Sequence, residues 1–143
     1  MLRSALAVIL GYVVMVVIVF STLTGSYLGL GVTKVFHPGT YEVTSMWLAI
    51  MFVFSLAAAV VGGMVCASVA KGKGAVTALM VLVLILGILS AIPAITASNG
   101  TPAIRTGDVP NLEAMMNGRE PAWFALLLPV IGVVGVMIGG KRS

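Results

Sequence analysis

Hydrophobic and polar positions segregate along this chain instead of alternating. Residues 4–33, 43–70, 74–104 and 121–140 contain no Asp, Glu, Lys, Arg or His, and every charged side chain falls between or beyond these runs. A helix needs roughly 20 apolar residues to cross a hydrocarbon core about 30 Å thick, and each run is rich enough in Leu, Ile, Val, Met, Phe and Ala to supply them. In lipid a helix satisfies its backbone hydrogen bonds within its own segment. The pattern predicts an all-α fold, a transmembrane four-helix bundle forming a single integral membrane domain over residues 1–143, with spans at 5–27, 46–70, 75–97 and 122–140. Loops 28–45 and 98–121 alternate with a turn at 71–74, which is too short for anything but an antiparallel hairpin between the second and third spans.

The first run could be mistaken for a signal peptide, whose apolar core is about 7–15 residues and ends in a small-residue cleavage site. Here the apolar stretch from Ala5 to Phe20 is 16 residues long and continues through Ser21-Thr22-Leu23-Thr24-Gly25, so the first span is expected to be an anchor. Lys and Arg mark the cytoplasmic side. One side holds Arg3, Lys71, Lys73, Lys141 and Arg142 with no carboxylate; the other mixes Lys34, Arg105 and Arg119 with Glu42, Asp108, Glu113 and Glu120. The first side is therefore expected to be cytoplasmic, with both termini there and loops 28–45 and 98–121 outside. Trp47 and Trp123, with Tyr27 and Tyr41, fall at the outer span ends, where interfacial aromatics collect.

The outer loops carry recognisable turn chemistry. In His37-Pro38-Gly39, Pro sets φ and Gly takes the left-handed position. Loop 98–121 is longer than most connections, which makes it either ordered for a purpose or mobile. Its Asn99-Gly100-Thr101 fits the glycosylation pattern, although Pro102 argues against use. Residues 111–118 predict a two-turn helix with Asn111 capping its start and Gly118 its end. Leu112, Met115 and Met116 would share one face, suited to the bilayer or to a neighbouring subunit.

The second span holds the clearest packing pattern. Ser55, Ala59, Gly63 and Ala67 recur every fourth residue, and Ala58, Gly62, Cys66 and Ala70 form a parallel row. At 1.5 Å per residue such a row is about 18 Å long, and small residues let helices approach closely where van der Waals contact drives association. The fourth span offers Gly132, Gly135 and Gly139, and the first Ser21, Gly25 and Gly29. These faces serve either packing within the bundle or contact with another chain. Pro129 predicts a kink in the fourth span, and Pro93 a bend or fraying near the end of the third. Tyr12, deep in the first span, needs a hydroxyl partner.

Composition narrows the function classes. Only 8% of residues are charged, against about 25% in ordinary globular chains, so a soluble domain alongside four spans is not expected. The Lys and Arg form no basic cluster interleaved with aromatics, which argues against a nucleic-acid partner. Cys66 is the one cysteine, so no internal disulfide forms. No span carries a charge of the kind that marks ion paths and proton relays. The single histidine, His37, lies in a loop, so a bis-histidine haem site inside the membrane is excluded, and no metal-ligand set, catalytic triad or phosphate loop is visible. Neither cofactor, metal nor catalytic residues are expected; Asp108, Glu113 and Glu120 with Arg105 and Arg119 suggest a salt-bridged surface.

Two segments carry a resemblance. Residues 2–12, Leu-Arg-Ser-Ala-Leu-Ala-Val-Ile-Leu-Gly-Tyr, resemble the start of small uncharacterised four-helix bacterial integral membrane proteins, and residues 62–70, followed by a basic turn, resemble the end of their second helix. The resemblance implies a four-helix bundle in a bacterial cytoplasmic (inner) membrane and carries no activity or site residues with it. The expected function is a non-catalytic accessory or structural subunit, packing against other transmembrane proteins or copies of itself within the lipid bilayer. The alternative is a small transporter or channel with a pore between subunits, lined by Thr22, Thr24, Ser26, Ser45, Ser55, Thr77, Ser90 and Thr96.

Overall fold

Each charge-free run contains one long helix. In the computed structural model, which describes residues 1–100, 104, 107 and 110–142, the elements are α1 (Leu2–Leu30), α2 (Val32–Val35), α3 (Ser45–Ala70), α4 (Lys73–Ser98), α5 (Asn111–Asn117) and α6 (Ala122–Lys141). Helices α1, α3, α4 and α6 are each long and apolar enough to cross a membrane, as in an integral membrane protein, and the described residues form no strand.

The helix ends follow local chemistry. Gly31, at φ +77°, stops α1 and donates its N–H to the Tyr27 carbonyl. Thr44 caps α3: its hydroxyl oxygen accepts from the Trp47 N–H at 3.3 Å and its hydroxyl donates to the Lys34 carbonyl at 2.7 Å. At the other end of α3, Lys71 takes the left-handed conformation at φ 52°. Pro93 does not end α4, which runs on to Ser98, and Pro129 lies buried within α6.

Around the bundle the order is α1, α3, α6, α4. Helix α3 packs along both α1 and α6, α6 also packs along α4, and α4 closes more lightly onto α1. The expected hairpin of spans two and three is therefore antiparallel in direction but not closely packed. α3 and α4 stand diagonally across the bundle, and α6 occupies the place beside α3 that the short turn would suggest for α4. The physical reason is that α3 has small residues on two sides, one for each of its principal neighbours.

Both termini lie at the same end of the bundle. Arg3 Nε donates to the Val69 carbonyl at 2.8 Å, joining the start of α1 to the last turn of α3, and Gly140 of α6 lies against Val76 near the start of α4. The core has two parts. At the basic end it contains Ala7, Met15, Ala59, Cys66, Leu79 and Val136, and at the opposite end Tyr27, Phe36, Tyr41, Trp47 and Phe124. No polar or charged residue is buried among the described ones.

Candidate functional site

The glycines of α3 and α6 form a seam in which backbones touch. A Cβ on Gly63 would meet the backbone of Val136, with its Cα at 2.9 Å, and one on Gly135 would lie 2.5 Å from the Ala59 Cβ. Gly139 similarly abuts the backbone of Val60 and Met64, and Gly132 faces Val83 of α4. The parallel row of α3 faces α1: a Cβ on Gly62 would run into Met15 and lie 2.8 Å from the Gly11 carbonyl oxygen, and Cys66 borders Gly11. Ala58, Ala59, Gly62, Gly63, Cys66, Gly132, Gly135 and Gly139 are buried, and Ser55, Ala67 and Ala70 are half-buried. These seams lie inside one chain.

In α1 the close-approach residue is Gly11. Nothing stands within 4 Å of a Cβ built on Gly25 or Gly29, so the expected face of Ser21, Gly25 and Gly29 is not a packing face. The spacing of Ala7, Gly11 and Met15, all buried, is the signal that points to the correct side. Gly87 of α4 is a second residue that the sequence pattern missed; it accommodates the Pro129 ring, whose Cγ would lie 2.8 Å from its Cβ.

At the end away from the termini, the described parts of the two long connections build a cap. His37 accepts from the Thr40 N–H at 3.2 Å, with Pro38 and Gly39 between them and Gly39 at φ +72°, the arrangement of a type II turn. The returning segment pairs with the other loop: the Arg119 N–H donates to the Tyr41 carbonyl at 2.8 Å and the Val43 N–H to the Arg119 carbonyl at 3.1 Å. Helix α5 is fastened to the cap and to the bundle. The Tyr41 hydroxyl donates to Glu113 Oε1 at 3.1 Å, Asn111 Nδ2 donates to Thr24 Oγ1 at 3.2 Å, and Ala114 is buried in the aromatic cluster.

Asn111 thus does not cap α5; Pro110 holds the N-cap position and the Asn111 amide reaches α1 instead. Gly118 does end α5, but at φ −57°, outside the left-handed region. Its lack of a side chain matters because a Cβ would sit 2.9 Å from the Ala114 carbonyl oxygen and 3.5 Å from the Phe36 ring. Leu112 and Met116 are 66% and 77% exposed, and Met115 is exposed beside a cavity under the cap. Of the expected interfacial aromatics, Tyr27, Tyr41 and Trp47 turn inward and Trp123 remains exposed.

The cavity holds about 130 Å³ and is bordered by Tyr27, Phe36, Trp47, Met115 and Glu120. That is room for a few waters, below the usual 300–1,000 Å³ of a small-molecule site. Glu120 is half-buried there, and desolvation pushes its carboxyl above the ordinary carboxylate value. Arg105 and Asp108, expected in a salt-bridged surface with Glu113, Glu120 and Arg119, lie outside the described residues, as does Thr101 of the glycosylation pattern.

The hydroxyls proposed to line a pore bond largely to their own helices. Thr22 donates to the Ile18 carbonyl at 2.6 Å and Ser26 to the Thr22 carbonyl at 2.7 Å. Thr77, Ser90 and Thr96 each donate to the carbonyl four residues earlier. No protein-family model matches the chain, and searches of curated proteins and of solved structures return no match.

Proposed function

We propose that this chain is a non-catalytic accessory subunit of a membrane assembly, docking through its cap onto another transmembrane protein. The carrying observation is the contrast within α5: Ala114 is 4% exposed, while Leu112 and Met116 stand outward on a helix already fastened by Asn111 and Glu113. An apolar face presented on a held support carries less ordering cost on binding than a loose loop would. With the glycine seams occupied within the chain, α5 offers a partner an apolar face outside the spans. The pore-forming alternative gains no support from hydroxyls already engaged along their own helices.

In this reading the bundle lies in a bacterial cytoplasmic membrane with both termini inside and the cap outside, following the excess of Lys and Arg at the terminal end. The test is purification from native membranes in mild detergent. Leu112→Ser, Met115→Ser and Met116→Ser together are expected to release a co-purifying membrane protein while the bundle's thermal stability holds. Retention of the same partner by this variant, or ion-gradient-driven uptake by the protein alone in liposomes, overturns the proposal. For orientation, Ile104→Cys in a Cys66→Ala background is expected to react with an impermeant thiol reagent in intact cells, and Ser4→Cys is not; the reverse pattern inverts the topology.

A further inference from the structure

The terminal end of the bundle contains an opening with no part in docking through α5. Because α3 and α4 stand diagonally, the turn joining them leaves space beside α6, and an open groove of about 800 Å³ remains there. Lys71, Lys73 and Lys141 line it at the helix ends; Val76, Met80 and Met137 line it farther into the bundle. The groove thus passes from three cations to an apolar wall within about two helical turns.

Among the described residues no carboxylate side chain lies at this end. Glu42, Glu113 and Glu120 all belong to the cap end, on the far side of the spans. Helix α4 begins at this groove with no acidic residue in its first turn and no side-chain cap. A helix start presents partial positive charge, so Lys73 in the first turn of α4 is unfavourably placed unless an anion joins it, whereas Lys71 and Lys141 stand at the C-terminal ends of α3 and α6. Orientation in the membrane requires only that cations gather on one side; it does not require them to share a cleft with an apolar wall.

We propose that this groove seats an anionic phospholipid, its phosphate among Lys71, Lys73 and Lys141 and an acyl chain against Val76, Met80 and Met137. Charge complementarity selects the headgroup, and the apolar wall selects a lipid over free phosphate. The site is independent of partner docking, so the α5 serine variant is expected to retain it.

The test uses the full chain purified in mild detergent, incubated with phosphatidylglycerol or phosphatidylcholine and read by native mass spectrometry. Phosphatidylglycerol is expected to stay bound where phosphatidylcholine washes away. Lys73→Gln with Lys141→Gln should weaken retention about thirtyfold, whereas Arg3→Gln with Arg142→Gln, which removes the same charge outside the groove, should change it less than about threefold. Met137→Trp, which crowds the apolar wall without altering charge, should also weaken retention. Equal retention of the two lipids overturns the proposal, as do equal losses in the two double variants. Displacement by millimolar inorganic phosphate together with no effect of Met137→Trp would also overturn it, assigning the groove to free phosphate.

Discussion

The two halves of the bundle are held together by opposite means. Toward the termini, helices meet through Gly11, Gly62, Gly63, Gly135 and Gly139, where backbone lies on backbone and no Cβ fits. Toward the cap the space is filled by the rings of Tyr27, Phe36, Tyr41, Trp47 and Phe124, with Tyr27 edge-on to Trp47 at 6.4 Å and Phe36 edge-on to Tyr41 at 5.7 Å. Helices that associate in lipid gain from close van der Waals approach. Where the chain leaves the spans, loops need volume to pack against and partners for their backbone groups. One half brings helix backbones together at glycines beside aliphatic side chains, and the other is filled by aromatic rings.

The largest effect is expected at the glycine seam. Gly63→Leu drives a side chain into the Val136 backbone, which cannot move away as a flexible side chain could, so the folded bundle should fail to accumulate. Gly25→Ala, where a Cβ meets nothing within 4 Å, should be neutral or mildly stabilising in the same thermal melt. Equal losses from the two changes would dissolve the distinction between seam and open face.

Trp47→Ala comes next. It removes a buried ring from the other half and should cost about 3 kcal/mol, with faster amide exchange in α5 and residues 36–43 but not around Gly63. Uniform loosening of both halves would show that they do not behave as separate packing units. Thr44→Ala should cost about 1 kcal/mol by removing the α3 cap, measured as a lower melting temperature with the seam intact.

The smallest effect is a pH dependence at the cavity. Burial makes the folded state hold the Glu120 proton more tightly than the unfolded chain does. Stability should therefore fall as pH rises from the ordinary carboxylate value through the raised one. Glu120→Gln should flatten that decline and stabilise the protein at neutral pH; an unchanged profile would remove Glu120 as its source.

The spans were legible because lipid imposes a long apolar run that no charge interrupts, and α3 and α6 match their expected limits to within one or two residues. The order of helices around the bundle was not legible. All four helices are apolar on every side, so no polar stripe marks a solvent face and only small residues hint at contacts. That hint worked for Gly63 opposite Val136 but misled for Gly25 and Gly29, since spacing alone does not say which face turns inward. The cap was only partly readable. His37-Pro38-Gly39 carries its turn in local backbone preferences, whereas the pairing of Arg119 with Tyr41 and Val43 joins segments about 75 residues apart and leaves no local trace. Asn111 has the chemistry of a cap, yet the nearby Thr24 hydroxyl receives its amide instead.

The position of α6 between α3 and α4 has a consequence for biosynthesis. Helices α1, α3 and α4 precede α6 in the chain, and α6 supplies the surface that both α3 and α4 pack against. Until α6 inserts, Gly63 and Gly87 have only lipid where Val136 and Pro129 will sit. A chain lacking α6 therefore has glycine faces on α3 and α4 that are without their partner in the folded bundle. Insertion of this 20-residue helix is therefore the step that completes the packing of both α3 and α4.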